Sequence, residues 1–164
     1  MGVDTLIAGL CIYLYLMLSQ QALLYHFQAY SLFLPTKDFL VSFLNEPGGL
    51  LAWAGSFLTQ FFHFPALGAL LFTGLLMLTQ YATERILNVQ GIWRALTFLP
   101  PALLLILVTN LDYEVYVLYI KDLAFSQMLG YLFILEALWL GKTMRKALLK
   151  GVWLVLVVVG GYPL

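Results

Sequence analysis

Asp38 is the carboxylate best placed to do chemistry. It lies in Pro35-Thr36-Lys37-Asp38-Phe39-Leu40, beyond the first long apolar run. A carboxylate there could serve as a general base toward an acceptor hydroxyl, and Asp38 is the candidate catalytic residue. The structural alternative is simpler. Thr36 is a plausible N-cap after Pro35, and an acid in the first turn complements the helix macrodipole.

The candidate binding groups are Glu46, His26, His63, Asp112 and Glu114. His26 and His63 flank the segment that holds Asp38, and Asp112 and Glu114 lie in "NLDYEVYVLYIKD". Together these side chains could form a His/carboxylate metal site, but no H-E-x-x-H or similar spacing is present, so no metal is expected. Polar anchors at a membrane boundary are the plainer reading, with Tyr113, Tyr116 and Tyr119 as an aromatic belt.

Glu136 is the one acid well inside an apolar stretch. An intramembrane acid points to proton relay or interhelical hydrogen bonding; the alternative is a water-reached carboxyl near Lys142. There is no phosphate-binding glycine loop, no G-x-S-x-G and no Cys/His cluster, so no cofactor is evident. Cys11 is the sole cysteine, which excludes an internal disulfide; it reads as a small core residue.

The elements that must position these residues belong to a membrane protein. Of 164 residues, 63% are hydrophobic and 10% charged. A soluble fold of this size could not hide so much apolar surface. Net charge is zero, so no basic field suggests nucleic acid. The N-terminus "MGVDTLIAGL" has no basic region, and the run after it reads as a first span, not a cleaved signal.

Spans are expected over residues 5–24, 66–82, 93–111 and 123–141, the third carrying Pro100-Pro101. A fifth, 147–164, is marginal in length and ends without a polar tail. The fold class is therefore all-α, a polytopic transmembrane bundle of four to five spans. Six of the eight Lys and Arg fall in two short loops: Arg85 and Arg94, then Lys142, Arg145, Lys146 and Lys150. The positive-inside rule puts these loops and the N-terminus in the cytoplasm.

Between the first two spans lies "PTKDFLVSFLNEPGGLLAWAGSFLTQFFHFP". A full crossing there would invert the basic loops, so it enters and leaves on the outer face. Phe39, Leu40, Phe43 and Leu44 recur at helical spacing, and Pro47 closes that helix. A second short helix has an apolar face of Leu50, Trp53, Ala54, Phe57, Leu58 and Phe61. Its weakly polar face carries Gly55, Ser56, Thr59, Gln60 and His63. Both pieces, over 37–46 and 50–63, read as interfacial or re-entrant helices. Gly68, Ala69, Thr73 and Gly74 give the second span a small-residue face for close packing.

The run "FLNEPGGLLAWAGSFLTQFFHFPALGALL", preceded by "FLPTKDFL", resembles the N-terminal region of an uncharacterised family of bacterial multi-pass membrane proteins. Pro47, Gly48, Gly49, Gly55, Gln60, Pro65 and Gly68 carry the resemblance. It implies an inner-membrane location and, since members of that family are longer, that this chain is the N-terminal part of a longer protein. The arrangement of one span, then an outward loop of two short helices with an early acid, is also similar to the opening of C-type-fold integral-membrane glycosyltransferases. That resemblance implies an isoprenoid-linked sugar substrate and a catalytic role for Asp38. The pattern departs in having Lys37-Asp38-Phe39 where those enzymes often show an acidic pair, and in having fewer spans.

Two readings of function follow. One is part of a membrane-embedded transferase using lipid-linked sugar, with Asp38 as base. The other is a non-enzymatic module packing with partner helices through the Gly68 face. A transporter component working through Glu136 is a third. The expected partners are the lipid bilayer, an isoprenoid-linked substrate and partner membrane helices.

Overall fold

The computed structural model describes residues 3–31, 33–89, 91–110, 123–143 and Trp153. Most of these residues are helical, with no strand among them. The helices are α1 (Val3–Ser19), α2 (Gln21–Tyr30), α3 (Lys37–Leu44), α4 (Gly49–Thr59), α5 (Pro65–Leu87), α6 (Leu99–Asn110) and α7 (Leu123–Thr143). Short 3-10 helices, Gln60–His63 and Gly91–Phe98, lead into α5 and α6. The stretch expected as the fifth span, and the loop holding Asp112 and Glu114, lie outside the described residues apart from Trp153.

The path is antiparallel. Gly9 of α1 lies against Met77 of α5, with Met77 Cγ 3.3 Å from where a Cβ would stand. The continuation of α1 meets the opposite end of α5, where Phe27 approaches Phe62 at 6.2 Å. Thr97, just before α6, bonds Gln80, and Val108 at the far end of α6 joins the core beside Phe125. α7 runs parallel to α5. Phe125 meets Phe72 at 5.7 Å at one end, and Lys142 Nζ donates to the Ile86 carbonyl at 2.9 Å at the other. The N-terminus of α1 and the C-terminal ends of α5 and α7 therefore share one end of the bundle.

The core is aromatic. Phe27, Phe62, Phe72 and Phe125 are all buried, and Phe62 stacks on Phe125 at 5.0 Å. Offset and edge-on ring pairs at such distances add about 0.5–1.5 kcal/mol each beyond area burial. Gly68 makes room for this cluster, because a Cβ there would strike Phe62.

Two expected spans differ in form. The stretch 5–24 is two helices bent by 74° at Gln20. Ser19-Gln20-Gln21 interrupts the apolar run, Gln20 takes φ −116° and ψ 18°, and its side chain donates to the Tyr15 hydroxyl at 2.9 Å. The stretch 93–111 changes from 3-10 to α helix at Leu99. Pro100 and Pro101 supply no N–H, so they suit the first turn of a helix and not its interior. Length and composition qualify α5 to cross a membrane, and α1 with α2 if the bent pair forms one span.

Candidate functional site

The α3–α4 hairpin holds Asp38 and Glu46. Thr36 starts it: its Oγ1 accepts from the Phe39 N–H at 3.3 Å, placing Asp38 exposed in the first turn of α3. Glu46 is exposed in the turn between the helices. Gly48 takes φ 77°, which glycine adopts without a Cβ penalty. Phe33 inserts between the two helices, at 5.8 Å from Phe39, 5.5 Å from Trp53 and 5.3 Å from Phe57. Gln60 closes the base, donating to the Ser31 carbonyl at 2.8 Å.

α4 lies along α7, the most extensive helix pairing among the described residues. Its buried residues are Gly49, Gly55, Ser56 and Thr59, while Leu50 and Phe57 are exposed. The weakly polar face thus packs inward, with Leu51 against α7 and Leu58 against the core, while Leu50 and Phe57 point out. Small residues let the backbones approach closely, as in helix pairs formed in lipid. Thr59 satisfies its hydroxyl on the Gly55 carbonyl at 2.7 Å; the Ser56 hydroxyl and the Trp53 indole N–H are buried without a partner among the described residues.

The remaining sequence-derived residues are scattered. His26 is half-buried on α2, and His63 is exposed with its ring edge-on to Phe64 at 5.0 Å. Glu136 is exposed on α7. Asp112 and Glu114 lie outside the described residues. Among the described residues, no group of His, Cys, Asp and Glu side chains could hold a metal ion. Cys11, expected as a core residue, is exposed: helix α1 is apolar on every side, so its sequence does not mark which face packs. Gly68 and Ala69 are turned into the core, whereas Gly74 is exposed. Gly74 lines an open groove of about 430 Å³ with Met77, Leu78 and Tyr81.

Sequence reasoning missed a polar network at the opposite end. Gln80, only 1% exposed, donates from Nε2 to Thr97 Oγ1 at 3.1 Å and to Glu84 Oε2 at 3.2 Å. An Arg94 terminal nitrogen donates to Glu84 Oε2 at 3.2 Å. Arg94 Nε lies 2.9 Å from Glu84 Oε1, close enough for charge pairing, though its N–H makes no hydrogen bond. The Thr97 hydroxyl donates to the Arg94 carbonyl at 2.7 Å. Nearby, Arg85 sits 3.5 Å above the Trp139 ring, the geometry of a cation–π contact. The i, i+4 spacing of Gln80 and Glu84 was a visible signal; their pairing across a loop with Arg94 was not.

This architecture defines a class: an all-helical protein with an aromatic and aliphatic core, small and polar groups buried at helix contacts, and large apolar side chains on much of its surface. The chain belongs to DUF6057, a family of unknown function whose model matches residues 2–164. No curated protein and no solved structure matches it.

Proposed function

We propose that this chain is a multi-pass helical module of the bacterial inner membrane, of four to five spans, that packs with partner helices. The many large apolar side chains left on the surface, beside buried polar ones, carry this reading. On α5, Thr79, Gln80 and Thr83 are buried while Leu70, Leu78 and Tyr81 are exposed. On α1, Thr5 and Gly9 are buried while Leu6, Ile7, Leu10, Leu14 and Leu18 are exposed, Leu18 by 77%. Phe72, Leu76 and Met77 of α5 and Leu16 of α1 are buried as well, but water would disfavour so much apolar surface left outside, whereas lipid accepts it and lets small and polar residues mediate helix contacts. The shared end of α1, α5 and α7, with Arg85, Arg94 and Lys142, fits a cytoplasmic face. The open notch at Gly74 is where a partner helix could approach closely. Alkaline extraction of source membranes tests the location: the chain is expected to stay with the lipid pellet, and its release would refute the membrane reading. Gly74→Leu is expected to dissociate a complex on a native gel; an unchanged complex would remove the partner role of this face.

A second reading is a transferase using isoprenoid-linked sugar with Asp38 as base. It is favoured by the exposure of Asp38 at the base of the hairpin, away from the basic end of the bundle. Asp38→Ala would then abolish sugar transfer in native membranes while insertion is unchanged, and retained transfer would eliminate this role.

A further inference from the structure

The α3–α4 hairpin begins and ends at one level of the bundle. Gln60 Nε2 bonds the Ser31 carbonyl at 2.8 Å, and Phe62 stacks on Phe125 near the start of α7. From that base the hairpin runs along α7 toward the bundle interior. A Cβ on Gly130 would lie 3.4 Å from Leu51 Cδ1. At 1.5 Å per residue, Gly130 is about 10 Å along α7 from Leu123. The turn Asn45–Gly48 precedes Leu51 in the chain, on the side away from the base.

A pair of helices lying flat on a surface would not place Leu51 so far down a neighbouring helix. The turn is polar and open: Asn45, Glu46 and Pro47 are exposed, and Gly48 is left-handed. Non-helical backbone at membrane depth persists only where protein or water covers it. The side chains decide between these covers, since a carboxyl and an amide at the same exposed turn both need hydrogen-bonding surroundings. A carboxylate facing hydrocarbon instead would cost roughly 2.5–3.5 kcal/mol at full depth. The route for water is taken from the outer end, where the hairpin base opens with Lys37 and Asp38 exposed.

We propose that α3–α4 is a re-entrant hairpin whose Asn45–Glu46 turn lines a water-filled vestibule open to the outer face and favouring small hydrated cations. This rests on the membrane reading above. The test is thiol labelling of whole cells carrying the full chain with Cys11→Ser. Asn45→Cys is compared with Lys37→Cys at the hairpin base and Leu78→Cys on the outward face of α5. Asn45→Cys is expected to react with a membrane-impermeant cationic methanethiosulfonate added outside, within about 100-fold of the Lys37→Cys rate, while Leu78→Cys stays unlabelled. With each rate divided by that reagent's rate on a free thiol in solution, the cationic reagent should outpace its anionic counterpart by about 5-fold at Asn45→Cys, and Glu46→Gln should bring this normalised ratio near one. Silence at Asn45→Cys beside a reactive Lys37→Cys, or labelling only after permeabilisation, would overturn the vestibule. An unchanged ratio in Glu46→Gln would overturn the role of Glu46. Rapid labelling of Leu78→Cys would instead strike the membrane reading itself.

Discussion

Gly49 rests directly on the Phe43 carbonyl, with no room for a Cβ between them. This contact sets how tightly α4 folds back on α3, and the left-handed Gly48 beside it makes the reversal possible. Any side chain at position 49 must push the two helices apart. Gly49→Ala is expected to destabilise the protein by about 1–3 kcal/mol through overpacking. Gly48→Ala should cost roughly 1–2 kcal/mol through backbone strain alone. Thermal unfolding in detergent measures both, and a Gly49→Ala protein as stable as the parent would show that the hairpin is looser than described.

Gly68 and Gly74 lie on one helix but serve different neighbours. A Cβ on Gly68 would strike Phe62, whereas nothing lies within 4 Å of one on Gly74. Gly68→Ala is expected to lower stability by about 1–3 kcal/mol by displacing Phe62 from its aromatic cluster. Gly74→Ala should stabilise the isolated chain by about 0.5–1 kcal/mol, since the methyl finds open space and alanine favours a helix interior over glycine. Equal losses at both positions would mean that the exposed notch is covered within the chain.

Arg94 holds Glu84 by charge and a hydrogen bond, and Glu84 in turn accepts from Gln80. Both charged side chains are partly exposed, at 28% and 27%, so solvent tempers the pairing. Arg94→Ala is expected to cost about 1–3 kcal/mol by leaving a carboxylate with less compensation. The double variant Arg94→Ala with Glu84→Gln should recover part of that loss. Additive losses in a double-mutant cycle would show the two residues to be uncoupled.

Arg85 over Trp139 is a smaller tie between α5 and α7. Trp139→Leu should cost about 0.5–1 kcal/mol for the cation–π contact, besides its loss of buried area. Arg85→Gln in the Trp139→Leu background should add little. A large additional loss would place the value of Arg85 elsewhere.

Much of the local structure was legible in the chain. Thr36 caps α3 because a hydroxyl before Lys37-Asp38-Phe39 can reach the free N–H of Phe39. Pro47-Gly48-Gly49 breaks the helix because proline lacks a donor and glycine tolerates positive φ. Composition also set the apolar character of the helices. These features depend on neighbours within a few residues, which the sequence displays directly.

Tertiary structure decided the rest. The bend at Gln20, the inward turn of the small polar face of α4, the use of Gly68 against Phe62, and the Gln80–Glu84–Arg94–Thr97 network were not legible. Where helices are apolar on most sides, periodicity does not say which face packs. That choice falls to the close fit of small residues against a neighbouring helix, here Gly130 of α7 against Leu51 of α4. Residues far apart in the chain make that fit, and only their assembly shows it.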